Sequence, residues 1–248
     1  MLAIIGGSGL TQLENLKVMH RQVARTPYGD PSGALTFGSI NGRSVVFLAR
    51  HGYGHTIPPH RVNYRANLWA LYEQQPVGIV SVASVGGIRA DLAPGTLAIP
   101  DQIIDYTHGR DSTYFSGMDR RVVHVDFTLP YTEAMRARIV AAADKAGEQI
   151  FDGGTYAATQ GPRLESAAEI NRLERDGAHM VGMTGMPEAV LARELGVSYA
   201  TLAVVVNFAA GRGPHPEGIL LSDINAVSRE AMVRVHRIID QLVTLDGN

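Results

Sequence analysis

Residues 181–207, VGMTGMPEAVLARELGVSYATLAVVVN, read as a turn, a short helix and a long buried strand. Met183-Thr184 and Met186-Pro187-Glu188 open the helix, since proline is tolerated where no amide needs an intrahelical partner. Ala189 to Leu195 continue it, and Gly196 stands where a left-handed cap ends it. Tyr199 to Val206 are almost continuously apolar and rich in β-branched side chains, as in a strand covered on both faces. Such strands belong to open α/β sheets, which bind ligands at the carboxyl ends of their strands. Asn207 stands at that end. Its amide offers both a donor and an acceptor to a ligand, or it merely begins a turn.

Outward from this stretch, strand-like runs alternate with helix-like ones. The runs are Leu2–Ile5, Ser44–Ala49, Gly78–Ala83, Thr96–Pro100, Thr155–Thr159, His179–Met183 and Ser198–Val206. Helical patterns cover Val62–Gln75, Tyr131–Ala146, Glu165–Asp176 and Ser222–Leu242. In the first, Val62, Ala66, Trp69 and Tyr72 share a stripe; in the second, Met135, Ile139, Ala142 and Ala146 do. In the last, Ser222 is the expected N-cap, and Val227, Ala231, Val235, Ile238 and Leu242 form the apolar stripe. The alternation predicts an α/β fold: a single domain over residues 1–248, its mixed central sheet flanked by helices.

A chain of 248 residues, 45% hydrophobic and 19% charged, is long and apolar enough for a sizeable core. A net charge of −2 creates no field that would gather nucleic acid or an anionic membrane. No apolar run is long enough to span a bilayer. The opening MLAIIGGSGL reads as a core strand rather than a signal peptide, which makes the cytoplasm the expected location. With no cysteine, disulfides and thiolate metal sites are excluded.

Four stretches can carry chemistry. Gly6-Gly7-Ser8-Gly9 follows the first strand, and glycines let backbone amides approach an anion while Ser8 adds a hydroxyl. Gln12 stands where a dinucleotide fingerprint needs its third glycine, so that motif fails. Arg50 and His51 arrive together at a second strand end, the arginine with a planar fork suited to phosphate and the histidine as a further donor. Ser84-Val85-Gly86-Gly87 ends a third strand in small residues. Thr159-Gln160-Gly161-Pro162-Arg163-Leu164-Glu165 ends a fourth. Glu165 is either a carboxylate at a helix start or one that faces Asn207 across a pocket, and such a pair suits a 6-oxopurine. His51, His55 and His60 lack the spacing and the carboxylates of a metal site, so no metal is expected.

Together these stretches resemble the trimeric purine nucleoside phosphorylase and methylthioadenosine phosphorylase family. The motifs are IIGGSGL at residues 4–10, ARHG at 49–52, HTIPPHRVNYRANLWAL at 55–71, SVGGIRADLAPG at 84–95, TQGPRLES at 159–166 and VGMTGMPEAVLARE at 181–194. The resemblance implies a homotrimer that cleaves a nucleoside with inorganic phosphate as co-substrate and uses no cofactor. It assigns phosphate to Ser8, Arg50, His51, Ser84 and Thr184, and the ribose to Met183. His124 resembles a residue lent by a neighbouring subunit to the 5′ end of the nucleoside. Leu221 and Ile224 stand where relatives that prefer a free 5′-hydroxyl carry a histidine, with His215 as a nearby competitor.

The purine pocket divides the family. Its methylthioadenosine branch has Asp where this chain has Asn207, an acid in place of Ala209, and Ser in place of Glu165. The 6-oxopurine branch has Glu and Asn at the matching positions. A methylthio-nucleoside framework around a hypoxanthine-reading pocket resembles the branch that acts on 5′-methylthioinosine. Arg50, His51 and Asn207 are then the expected catalytic residues. General 6-oxopurine nucleoside phosphorolysis, methylthioadenosine phosphorolysis and nucleoside binding without turnover are the alternatives.

Overall fold

The computed structural model describes residues 1–117, 121–219 and 221–245, with the backbone alone for 221–223. In chain order the first half holds β1 (Leu2–Gly6), β2 (Lys17–Gln22), β3 (Leu35–Ile40), β4 (Arg43–Ala49), α1 (Tyr64–Tyr72), β5 (Gly78–Gly87), β6 (Leu97–Ile99) and β7 (Gln102–Asp105). The second half holds α2 (Glu133–Ala146), β8 (Ile150–Asp152), β9 (Thr155–Ala158), α3 (Ala167–Arg175), β10 (Met180–Gly182), α4 (Gly185–Glu194), β11 (Tyr199–Phe208) and α5 (Leu221–Leu245).

All the strands belong to one mixed sheet, and β5 is its hub. β11 runs parallel to it from Tyr199↔Ile79 to Phe208↔Gly87. The opposite edge of β5 is shared: Gly78–Ser81 pair with β1, and Gly86–Gly87 pair antiparallel with β10. The two glycines permit this crowding, because a Cβ at Gly86 would sit 3.3 Å from both Val181 and Asn207. From β1 the sheet extends through β4 and β3 to β2, and from β10 through β9 to β7.

Side chains on the buried strands alternate between two cores, as a period of two requires. Leu2, Ile4, Val45, Phe47, Leu202 and Val204 pack with α2 and α5 on one face. Ala3, Ile5, Val46, Leu48, Ala203 and Val205 pack with α1 and α4 on the other. Helix α3 covers a smaller cluster around Val181 and Ala209.

Several expectations need correction. β2, β3, β7 and β8 were not predicted; β2 is exposed along its whole length and so lacks the apolar pattern that marks a strand. α1 is shorter than expected, starting after its N-cap Asn63, and its stripe holds only in part: Val62 and Ala66 are buried, but so are Leu68 and Leu71 outside it, while Tyr72 is 38% exposed. α5 starts at Leu221, which puts Ser222 inside its first turn rather than at the cap. Of its expected stripe, Ala231, Val235, Ile238 and Leu242 are buried and Val227 is half-buried. Gly196 follows α4 at φ +67°, the left-handed conformation read from the sequence.

Candidate active site

The carboxyl ends of β1, β4, β5, β10 and β11 converge on a cavity of about 470 Å³. Ser8, Arg50, His51, Ser84, Glu165, Met183, Thr184, Asn207 and Ile224 all line it. Ile57, Pro59 and Ile219 complete much of its apolar wall.

Arg50 forms the floor. It is 1% exposed, and its Nε and Nη2 donate to the two oxygens of Glu188 at 2.5 and 3.1 Å. Nη2 also donates to Ser81 Oγ at 2.6 Å, and Nη1 to the carbonyl of Val82 at 3.0 Å. These bonds engage four of its five N–H groups among the described residues. The fifth, on Nη1, lies beside the glycine turn: a Cβ at Gly7 would come within 2.7 Å of Nη1. Glycine there leaves the approach to the cation open. Burial alone would weaken the guanidinium's hold on its proton, but the Glu188 carboxylate outweighs it and the cation is permanent. Glu188 in turn accepts from Ser81 Oγ and Tyr199 Oη, both at 2.9 Å.

Around this floor stand hydroxyls. Ser8 Oγ bonds His55 Nε2 at 2.9 Å, and Ser84 Oγ donates to the Ser8 carbonyl at 3.1 Å. Ser84 lies within β5 rather than in a turn beyond it, because the strand continues to Gly87. Thr184 is the N-cap of α4, yet its side chain makes no capping bond. Thr184 nevertheless lines the cavity, on the turn before α4, whose helical run is broken at Met186. His51 Nδ1 meets the Ile57 carbonyl at 2.8 Å and its ring stacks on His55. Burial, reinforced by the Arg50 charge, pushes its pKa down to about 4. A neutral ring that donates from Nδ1 presents a lone pair at Nε2, so His51 accepts a hydrogen bond instead of supplying the donor expected from sequence.

At the other end lie Asn207 and Glu165. β11 does not stop before Asn207; a bulge between Val205 and Asn207 shifts the register, so Asn207 pairs with Gly86. One extra residue re-aims the side chains beyond it. Val206 packs in the α2–α5 core, and it and Asn207 both line the cavity. Asn207 Nδ2 donates to the Phe208 carbonyl at 2.6 Å, leaving Oδ1 and the second N–H for a ligand. Glu165 is not a helix-start carboxylate. Ser166 caps α3 and closes a capping box with Glu169, at 3.2 and 2.8 Å. Glu165 is left to line the cavity, its Oε1 accepting from Thr159 Oγ1 at 2.6 Å.

Residues 1–244 match the model of the phosphorylase superfamily. The chain belongs to that family. This phosphorylase is 52% identical over 233 residues to a probable S-methyl-5′-thioinosine phosphorylase of Pseudomonas syringae pv. tomato, covering 94% of each chain. It is 45% identical over 217 residues to the 6-oxopurine nucleoside phosphorylase of Pyrococcus furiosus, covering 85% of this chain and 80% of the other. It superposes on a methylthioadenosine phosphorylase of Schistosoma mansoni in complex with adenine, with a TM-score of 0.93 and 32% identity over 99% of this chain and 91% of that one.

Two expected residues, His124 and His215, stand apart from the phosphorylase cavity. His124 is exposed on the segment before α2, and a single chain does not bring it to the site. The side chain of Leu221 lies outside the described residues. His215 lines a smaller neighbouring recess of about 250 Å³ on the far side of Asn207 and pairs with Glu217 at 3.6 Å. Sequence reading also missed Glu188, His55 and the α5 residues Asn225, Ser228 and Arg229, which line the cavity beside Ile224 or hold its floor. An acid directly after a proline at a helix start was the available signal for Glu188. Helical spacing from Ile224 was the signal for Ser228.

Proposed function

We propose that this phosphorylase cleaves S-methyl-5′-thioinosine with inorganic phosphate, giving hypoxanthine and 5-methylthioribose 1-phosphate. The observation that carries the reading is one cavity with an anion cradle at Arg50, Ser8 and Thr184 and an amide–carboxylate pair at Asn207 and Glu165. Ala209, buried in the wall, offers no second acid toward an amino-purine.

In this scheme hydrogen phosphate sits on the glycine turn with its P–OH toward His51 Nε2. A phosphate oxygen attacks C1′ as the C1′–N9 bond breaks, and the bonding pair leaves with the purine. The proton brought in by hydrogen phosphate departs on the base. Arg50, the hydroxyls and the turn hold the nucleophile beneath a carbon gaining cationic character, which is positioning and electrostatics rather than covalent catalysis. The proton taken by the base settles on N7, where Asn207 Oδ1 accepts from it, while the free Asn207 N–H donates to O6, a bond that strengthens as charge accumulates on the purine. The reaction requires phosphate and no organic cofactor, and fits a cytoplasmic enzyme. No helix of the described residues is long and apolar enough to cross a membrane.

A second reading, general 6-oxopurine nucleoside phosphorolysis, is favoured by one observation. The α5 wall carries Asn225 and the buried Ser228 Oγ, which has no partner among the described residues. Those groups suit a free 5′-hydroxyl, whereas Ile219 and Ile224 suit a methylthio group. A hydroxyl buried without a partner loses about 1–3 kcal/mol. Catalytic efficiency on methylthioinosine is therefore expected to exceed that on inosine roughly tenfold or more, measured as purified-enzyme kcat/KM in saturating phosphate. Equal efficiencies would favour the second reading, and turnover without phosphate would sink both.

The same proposal includes a homotrimer in which His124 serves the neighbouring cavity. Val122 and Leu129, 78% and 60% exposed on the same segment, are apolar surface that an interface would cover. Light scattering is expected to give three times the subunit mass, and His124→Ala to raise KM for the nucleoside while leaving KM for phosphate unchanged. An active monomer at assay concentration would defeat it.

A further inference from the structure

Arg110, between β7 and α2, lies outside the cavity lining yet touches both loops that build it. Its Nη1 donates to the carbonyls of Met183 and Met186 at 2.8 and 2.6 Å, and its Nη2 to those of Gln160 and Thr159 at 2.8 and 3.3 Å. Nε donates to Gln160 Oε1 at 3.1 Å, and Tyr64 Oη lies 3.3 Å from Nη1. The guanidinium also sits over the Tyr64 ring, 5.4 Å from its centroid.

Every N–H group of this guanidinium is therefore taken by the protein, in contrast to Arg50. What it holds is informative. Thr159 and Gln160 start the loop that carries Glu165, and Thr159 Oγ1 itself bonds Glu165 Oε1. Met183 and Met186 flank Thr184, the hydroxyl beside the anion cradle. We propose that Arg110 is a positioning residue that fixes the base-reading loop and the phosphate-holding turn to one another, so that purine selection and phosphate binding depend on the same side chain.

The geometry excludes lysine as a substitute. Only a planar fork with divergent donors reaches main-chain carbonyls on two loops at once, whereas an ammonium is a single point. Nothing else in the described structure bonds all four of those carbonyls together. Loosening them moves Glu165 and Thr184 independently, and misplacement by about 1 Å can cost on the order of 100-fold in rate.

This inference rests on the proposed reaction, and its test separates the two. Arg110→Lys and Arg110→Ala are assayed beside the unmodified protein on methylthioinosine and methylthioadenosine, with both nucleoside and phosphate varied. Both variants are expected to lose about 100-fold in kcat/KM, to raise KM for phosphate as well as for nucleoside, and to lower the preference for 6-oxo over 6-amino substrate at least tenfold. Millimolar guanidinium is expected to return part of that preference to Arg110→Ala. The preference is a ratio within one preparation, so it does not register how much protein has folded, and a purely structural role would leave it unchanged. Hypoxanthine against adenine affinity, by calorimetry with and without phosphate, gives the same comparison without turnover. An unmodified protein inactive on methylthioinosine would overturn the substrate; an unchanged preference or affinity ratio in Arg110→Lys would overturn the role of Arg110.

Discussion

Replacing Arg50 by alanine is expected to abolish phosphorolysis and to destabilise the protein at the same time. Sequence alone suggests a phosphate-binding arginine whose loss the fold survives. The structure argues otherwise, because Arg50 and Glu188 are 1% and 0% exposed and bonded at two points. Removing one partner leaves an uncompensated charge in the interior, at about 3–5 kcal/mol. For a chain of this size that is a fall in Tm of roughly 6–20 °C. Adding Glu188→Gln to Arg50→Ala removes the stranded charge and should recover part of the Tm but none of the activity. Thr184→Ala provides the contrast: no buried charge is exposed, so KM for phosphate should rise with Tm nearly constant. Calorimetry and phosphate titration read both effects. An Arg50→Ala enzyme with unchanged Tm and unchanged phosphate dependence would remove Arg50 from the site.

That contrast shows where a sequence stops being legible. The pattern of residues 199–206 identifies a two-sided strand, and Gly196 identifies the end of the helix before it, because both signals are local. β2 is invisible for the same reason: Lys17–Gln22 are exposed on both faces and hold their place through pairing with β3. The bulge at Val206 leaves no mark in composition, since it shows only in the register against Val85 and Gly86 of the partner strand. Yet the bulge sets Asn207 opposite Gly86, where it lines the cavity.

The site divides similarly. The residues proposed to meet a ligand occupy mainly strand ends and glycine turns, and such places are recognisable one stretch at a time. Residues that hold them do not announce themselves. Glu188 reaches Arg50 across 138 positions, and Arg110 reaches Met183 across 73. The role of His51 is legible only with the Ile57 carbonyl beside its Nδ1, which turns an expected donor into an acceptor. Glu165 has the opposite history. Two roles were open in sequence, and the capping box of Ser166 and Glu169 takes the structural one.

Selection of the purine carries the largest expected effect, and its origin is the way Asn207 is tied. In the proposed pose, the free N–H donates to O6 of hypoxanthine and Oδ1 accepts from N7 once the departing base takes up its proton there, while the other N–H stays on the Phe208 carbonyl at 2.6 Å. Glu165, steadied by Thr159, accepts from N1–H. Adenine reverses two of these groups: an amino donor replaces O6, and N1 is a bare lone pair. Flipping the amide to meet the amino group would bring Oδ1 against the Phe208 carbonyl, so the rearrangement that would otherwise rescue adenine is opposed. Ionised Glu165 would still confront the N1 lone pair. A site built to hydrogen-bond a particular group rejects an analogue lacking it by about 10⁴-fold, and the unmodified enzyme is expected to prefer methylthioinosine over methylthioadenosine on that scale. Glu165→Gln offers N1 either a donor or an acceptor, so it should erode most of the preference while leaving phosphate KM unchanged. Asn207→Asp should slow methylthioinosine and raise methylthioadenosine relative to it, because a carboxyl accepts from the amino group. Steady-state kcat/KM on both nucleosides decides the matter. Equal efficiency in the unmodified protein, or an unaltered ratio in Glu165→Gln, would show that these two side chains do not read the base.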